Sequence, residues 1–397
     1  LAIPPTQGFQ LNLSSAELDL DAWQDFLESQ KKKVVASKTD DSGTGNIQIA
    51  AQVKKVILFD RKWQDLTFSA NNKNAFWQMR FNSPSINGQL QYTEANKSQP
   101  SGFISGHLTR LKFAEDAKNP IDPSKPAPKS VLKKAAISPN SVPSLDLVID
   151  DFAWLKGQLG QLKLKTKTSN NVLTIESLQM NNPQGNGTLS GKWVGGSQNE
   201  SEHTTLSGEL NIKDAGQVIA NWSDQKSIEG GQGKVTANVN WDGSPFSPKY
   251  DTLAGKATLN LEKGRLLEVN TSGAKLLDVL SLQSLFRFAT FDLKGSLGNI
   301  VTKGTPFNTI DASFDINAGV AQTKQFTMGL DQARVAMTGQ INIPKQTQDL
   351  RVTIFPTIDA TAGSLAAFAI NPIVGLGALV GQYLITSQIN RNLQSDY

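Results

Sequence analysis

The sequence predicts a mainly β protein: an elongated, curled antiparallel β-sheet, built as a repeating β-groove, with a few short α-helices. Three observations carry this. Apolar side chains recur at every second position through most of the chain. Apolar residues are only 38% and charged residues only 19% of the 397, and Asn, Gln, Ser, Thr and Gly fill the difference, a balance that favours strands and turns over helices. A similar succession of strands appears twice. The length exceeds what one hydrophobic core needs, so several domains or one repetitive body are expected.

The alternation is explicit. Leu162 and Leu164 alternate with Lys163, Lys165 and Lys167. Val235, Ala237, Val239 and Trp241 share one parity, as do Ala257, Leu259 and Leu261. Ile310, Ala312, Phe314 and Ile316 follow, then Val335, Met337, Gly339, Ile341 and Ile343, then Leu350, Val352 and Ile354. A period of two places each set on one face of a sheet, with Lys, Thr, Asn and Gln on the other. Antiparallel sheets with one wet face read this way, whereas buried parallel strands are apolar on both faces.

Helical signals are few. One is expected near residues 21–32, with Asp21 and Gln24 as a capping pair, and one near 214–222, with Asp214 and Gln217 placed alike. A third, near 273–288, is apolar nearly all round (Leu276, Leu277, Val279, Leu280, Leu282, Leu285 and Phe286) and belongs in a core or against lipid. Residues 114–142, rich in Pro, Lys, Ala and Ser without periodicity, read as a loop or linker.

The expected organisation is therefore a first β-groove unit over 1–113, the Pro/Lys-rich linker over 114–142, a second β-groove region over 143–362 and apolar helices over 363–397. A weak repeat supports it. Glu17–Asp21 and Glu209–Asp214 each lead into a short helix, and the strand clusters 53–92 and 147–193 have the same order. From Ala360 to Asn390 no residue is charged. Asn371-Pro372 breaks this stretch into two short helices, which either cap the sheet or rest in a membrane interface. Leu1 is not an initiator methionine and no signal peptide is legible, so the sequence reads as a piece of a longer chain.

Chemistry-bearing patterns are sparse. With no cysteine, disulfides, thiolate metal sites and cysteine nucleophiles are excluded. The net charge of +4 comes from scattered Lys, without the interleaved basic and aromatic face of a nucleic-acid binder. His107 and His203 stand apart, with no second ligand at metal spacing. Asp40-Asp41 and Asp150-Asp151 are adjacent, and neighbours in a strand point to opposite faces, so neither pair makes a site by itself. Gly375, Gly377 and Gly381 follow Asn371-Pro372 rather than a strand, which argues for helix packing rather than phosphate binding. The reading is of a protein that is not an enzyme and needs no cofactor and no metal.

The order of motifs from Pro143 to Pro372 resembles the C-terminal part of the YhdP branch of the AsmA-like family. The stretches that carry the resemblance are Leu145–Ile149, Leu159–Leu164, Gly191–Trp193, Thr205–Leu210, Gly231–Val235, Val239–Pro245, Leu253–Ala257 and Glu262–Leu266. The sharpest is Gly273–Leu285, followed by Phe307–Ile310, Gly319–Thr323 and Ala333–Gly339. Where the family tends to have paired arginines after the helix, this chain has Arg287-Phe288-Ala289-Thr290-Phe291.

The resemblance implies a Gram-negative envelope protein. It would lie in the periplasm, anchored in the inner membrane through a segment absent from this chain, with its C-terminal end toward the outer membrane. It would move phospholipid between the membranes through a hydrophobic groove. Its partners would be phospholipid acyl chains, and the membrane surfaces or envelope proteins at either end. On parity, the groove wall includes Leu162, Leu164, Val235, Val239, Leu259, Leu261, Phe314, Ile316, Met337, Ile341, Val352 and Ile354. Membrane contact is expected from Phe368, Ile370, Ile373, Val374, Leu376, Leu379, Tyr383 and Leu384. Two other readings fit the same alternation. One is a scaffold for outer-membrane protein assembly, as a TamB-like branch suggests; the other is a structural or adhesive β-repeat protein with a dry core.

Overall fold

A computed structural model of the chain describes residues 8–23, 46–58, 61–73, 75–97, 99–113, 138–154, 157–197, 201–221, 227–267, 304–331, 333–345, 347–356 and 387–388. These are overwhelmingly strand, as the alternation predicts. Two compact units are formed. The first comprises Leu1–Asn182 with Thr188–Glu202, and the second Pro183–Gly187 with His203–Tyr397.

In the first unit the strands are β1 (Gly8–Asp19), β2 (Asn46–Leu58), β3 (Arg61–Lys73), β4 (Phe76–Asn82), β5 (Ile86–Thr93), β6 (Phe103–Phe113), β7 (Ser144–Trp154), β8 (Gly157–Ser169) and β9 (Val172–Asn182). Strand β10 (Gly185–Val194) contributes residues to both units. The second unit holds β11 (His203–Ile212), β12 (Ile228–Asp242), β13 (Ala254–Leu266), β14 (Thr305–Asn317), β15 (Val320–Gly329), β16 (Ala333–Asn342), β17 (Thr347–Pro356) and the short β18 (Ser387–Gln388). From β1 to β9, and again from β11 to β18, each strand pairs with the next in sequence.

The pairing departs from the expected all-antiparallel sheet at two places. β1 pairs with β2, and β6 with β7, in parallel. A hairpin turn reverses the chain, while a long connection carries it back to start again from the same end. The strand order requires such a return between β1 and β2 and between β6 and β7. Because β7 lies beside β6, the strand after the Pro/Lys-rich stretch continues the sheet of the strands before it.

Two helix starts are described. The first, α1, occupies residues 20–23, and its cap is Asp19 rather than the expected Asp21: the Ala22 N–H donates to Asp19 Oδ1 at 2.8 Å. A capping residue must still be extended while its side chain reaches the first turn. Asp19 ends β1, and Asp21 is already inside the helix. The second, α2 (Ala215–Ala220), lies within the span expected near 214–222. Extended Asp214 caps it, accepting from the Gln217 N–H at 3.0 Å. Ala215 is buried, and Val218 and Ile219 pack against the apolar cluster of the second unit. The helix expected near 273–288 and the apolar helices expected over 363–397 lie outside the described residues, apart from β18.

In the first unit the outer ends of β3 and β6 overrun the shorter β4 and β5. β4 meets β3 only from Thr67 onward, and β5 meets β6 only up to Leu111. Trp63 and Phe113 fill the step edge to face, with ring centroids 5.6 Å apart. The Arg61 guanidinium lies 5.8 Å from the Phe113 ring and 5.5 Å from the Trp154 ring, within cation–π range. β5 approaches β6 very closely at Gly88, where φ is 135° and a Cβ would collide with the His107 carbonyl.

Two stability outcomes follow. Trp63→Ala removes a nearly buried ring and lowers unfolding stability by about 3 kcal/mol in urea titrations. Asp214→Ala costs about 1 kcal/mol by the same measurement, and Asp214→Ser far less.

Candidate functional site

The register lines the apolar positions into rows that run across the strands. In the first unit Leu11 on β1 stands opposite Ile49, which stands opposite Ala70, then Met79, then Leu90. The row continues through Gly106, Leu147 and Leu164 to Leu178 on β9. The adjoining row runs from Leu13 through Ala51, Phe68, Phe81 and Gly88 to Leu108, Ile149, Leu162 and Met180. No polar side chain interrupts either row over nine strands.

The second unit repeats the arrangement. Leu210, Val235, Leu259, Ala312, Phe326, Met337 and Val352 form one row. Ile212, Gly233, Leu261, Ile310, Met328, Val335 and Ile354 form the next. On the other side lies a row of small residues, Gly208, Ala237 and Ala257, ending at Phe314, and beyond it Leu206, Val239, Gly255, Ile316, Ala321 and Ile341.

Exposure varies across these rows. Ile310, Met328 and Val335 are buried, with α2 packed at their end of the face. Val239, Ala237, Ala257, Phe314 and Ile316 are only half-buried. In the first unit Ile49, Met79, Leu90, Leu147, Leu164 and Leu178 are all half-buried, and Leu11 is 40% exposed. These side chains lose only part of their water, and of them Leu90, Leu178 and Phe314 pack against buried apolar clusters.

All twelve residues expected in the groove wall lie on strands in these rows. Leu162 and Leu164 occupy adjoining rows of the first unit. Val235, Leu259, Met337 and Val352 share one row of the second unit, Leu261 and Ile354 the next, and Val239, Ile316 and Ile341 a third, with Phe314 between. Leu162, Leu261, Met337, Ile341 and Val352 are buried, and Leu164, Val235, Val239, Leu259, Phe314 and Ile316 are half-buried. None of the twelve lies on β1 to β6, although Ile47, Ile49, Ala51 and Val53 carry the same alternation. The residues expected to touch a membrane, from Phe368 to Leu384, lie outside the described residues. No helix among the described residues is long and apolar enough to cross a membrane.

The opposite face is polar and ion-paired. Lys234 meets Glu209 at 2.7 Å, Lys55 meets Glu17 at 2.7 Å, and Lys256 meets Asp315 at 3.2 Å. Asp150 and Asp151 correct the expectation of opposite faces. A bulge in β7 between Ile149 and Phe152 turns both carboxylates outward, with Ile149 and Phe152 inward. His107 Nε2 lies 2.8 Å from Asp150 Oδ2, so His107 does have an acidic neighbour. Asp151 receives Lys112 Nζ at 2.8 Å and lies 3.5 Å from Arg110 Nε. The Lys112 hydrogen bond, aided by Arg110, holds the Asp151 carboxyl below its ordinary range. His203 stands opposite Asp242 in the β11–β12 register. Among the described residues no group of three or more His, Asp or Glu is placed to hold a metal ion.

This geometry defines a class: β-sheet units with one ion-paired face and one face apolar from strand to strand. The whole chain, residues 1–397, matches the family described as YhdP protein, and it belongs to that family. Over 224 residues it is 30% identical to the Intermembrane phospholipid transporter YhdP of Escherichia coli (strain K12), a match covering 56% of this chain and 17% of that protein. The chain thus spans a small part of that relative's length. No solved structure matches it.

The ion pairs make the wet face pH-sensitive. A carboxylate with a depressed pKa stabilises the fold above its unfolded pKa of about 4, and that gain disappears as pH falls through the lower folded value. Asp151→Asn therefore melts below the wild type at neutral pH, by less than about 1 kcal/mol because the group is partly exposed. Thermal melts of the two proteins converge in acid.

Proposed function

We propose that this chain is a section of a lipid bridge, and that its apolar face carries phospholipid acyl chains between the inner and outer membranes of a Gram-negative envelope. The observation that carries the reading is the run of half-buried apolar side chains from Leu11 to Leu178, one from nearly every strand it crosses. A dry core would bury such residues, and an ordinary surface would not align them. Membership of the YhdP family, and the phospholipid transport for which the Escherichia coli relative is named, support the same reading.

The energetics require continuity. At ~0.8 kcal/mol per methylene, exposing two ~16-carbon acyl chains to water costs on the order of 25 kcal/mol. A lipid moving between membranes therefore needs an apolar partner at every step, and a polar gap stops it. Passage needs no bond to form or break, so no catalytic residue, cofactor or metal is assigned. The wall is formed by the twelve groove residues given above. The stretch from Phe368 to Leu384 meets a membrane, and the protein works in the periplasm. The headgroups travel on the solvent side.

Purification from bacterial membranes in mild detergent, followed by native and lipid mass spectrometry, tests this. Phospholipid accompanies the wild-type chain. Leu259→Asp or Ile316→Asp places a carboxylate in a row and lowers the bound lipid at least severalfold, with an unchanged circular dichroism spectrum. A chain that carries no lipid, or carries polypeptide instead, overturns the reading.

A further inference from the structure

One cation breaks the division between the two faces of the first unit. Every other Lys and Arg on the described strands β1 to β9 has the parity of the wet face. Arg61 precedes Trp63 by two positions on β3 and so shares its side, and its guanidinium lies over the Phe113 and Trp154 rings. Phe113 meets Trp63, Phe152 and Trp154 at centroid distances of 5.6, 6.4 and 5.0 Å. Arg61 begins β3, while Phe113 and Trp154 end β6 and β7. The group therefore forms one rim of the apolar face, beyond its rows.

This rim is open to water. Trp154 is 40% exposed, and Arg61 and Phe113 are half-buried. Attraction to ring faces orients a guanidinium without using any of its five N–H donors. The opposite rim differs. There the face ends in Asn72 and Thr166, both buried, and Thr166 Oγ1 already accepts from the Leu145 N–H at 3.0 Å. Glu94, which accepts from Trp77 Nε1 at 2.9 Å, adds an exposed carboxylate on that side, and a carboxylate repels other anions.

We propose that Arg61 is a phosphate-binding residue, and that lipids on the first unit lie with their headgroups over the rim of Arg61 and Trp154 and their acyl chains on the rows behind it. A guanidinium can hold a phosphodiester through two parallel N–H···O bonds. A tryptophan ring suits the boundary between hydrocarbon and water. The ligand class is a glycerophospholipid, recognised by the phosphodiester that such lipids share. The assignment rests on the lipid-carrying reading of the face and adds an orientation to it.

The test uses delipidated full chains: wild type, Arg61→Leu and Arg61→Gln. Each is titrated in nonionic mixed micelles with dioleoyl phosphatidylglycerol and, separately, with dioleoylglycerol, which has the same acyl chains and no phosphate. Inorganic phosphate is titrated alone. Arg61→Leu is expected to bind phosphatidylglycerol roughly fivefold more weakly, with dioleoylglycerol binding unchanged and a weaker dependence on salt. Arg61→Gln repeats the selective loss, and it decides the matter if Arg61→Leu does not fold. Wild-type affinity for phosphatidylglycerol in both variants overturns the site while leaving the lipid-carrying reading intact. Equal loss of both lipids in both variants marks a packing role and also overturns it. Inorganic phosphate bound by the wild type as tightly as phosphatidylglycerol marks a site for free anions and overturns the lipid assignment. A wild-type chain that binds neither lipid overturns the site and the lipid-carrying reading together.

Discussion

Everything else in each unit depends on register. A one-residue slip moves every apolar side chain of a strand to the wet face, and rows nine strands long leave no room for one. The sequence does not keep a strict period of two, however, and pairs of outward residues restore it. On β2, Val53 and Val56 both belong to the apolar cluster with two lysines between them; on β3, Trp63 and Leu66 do so with Gln64 and Asp65 between them. The interruptions are stacked: Glu17, Lys55 and Gln64 stand opposite one another across three strands. Asp65, with φ of 49°, takes up the local bend. On β15 Lys324 and Gln325 are both exposed between buried Thr323 and Phe326. In each case two residues go outward together, and the face continues.

Much of this was legible in the sequence and some was not, for a definite reason. Alternation is local, so the parity of Leu259 and Leu261, or of Val235 and Val239, can be read without a partner strand. The Asp214 cap is local too. A bulge is a property of two strands, and only the pairing of β7 with β8 shows that Asp150 and Asp151 turn outward together. The parallel returns into β2 and β7 are likewise invisible, because residues 20–45 and 114–143 reveal their length but not the end from which the next strand sets out. Asp19 rather than Asp21 caps α1 because β1 runs as far as Asp19, an end that no turn residue marks in the sequence.

The wet face shows why the charges look scattered in the sequence. Its charges are spread as cross-strand pairs such as Lys234 with Glu209 and Lys256 with Asp315. Pairs this exposed add little stability, but they disfavour registers that would bring like charges together. Lys163, Lys165 and Lys167 are exposed along β8, on the side away from Leu162 and Leu164. The two faces thus specify the same register twice, once by excluding water and once by charge.

The rows also set the direction of any passage over the face. Along a strand the apolar run is short. Beyond Leu11, Ile49 and Ala70, the next row brings in Asn72, Tyr92 and Thr166, of which Asn72 and Thr166 are buried. Rows lie roughly 7 Å apart, two residues of strand rise, so the apolar band is only a few rows wide. Across the strands it continues as long as strands are added, at ~4.8 Å each. Lengthening the strands would widen the band without extending it, while repeating the strand unit extends it at constant width. A surface that must stay apolar over a distance, and must not become a sticky sheet, is therefore best built from many strands of moderate length, with polar residues bounding the band along each strand, as Asn72 and Thr166 do in the first unit.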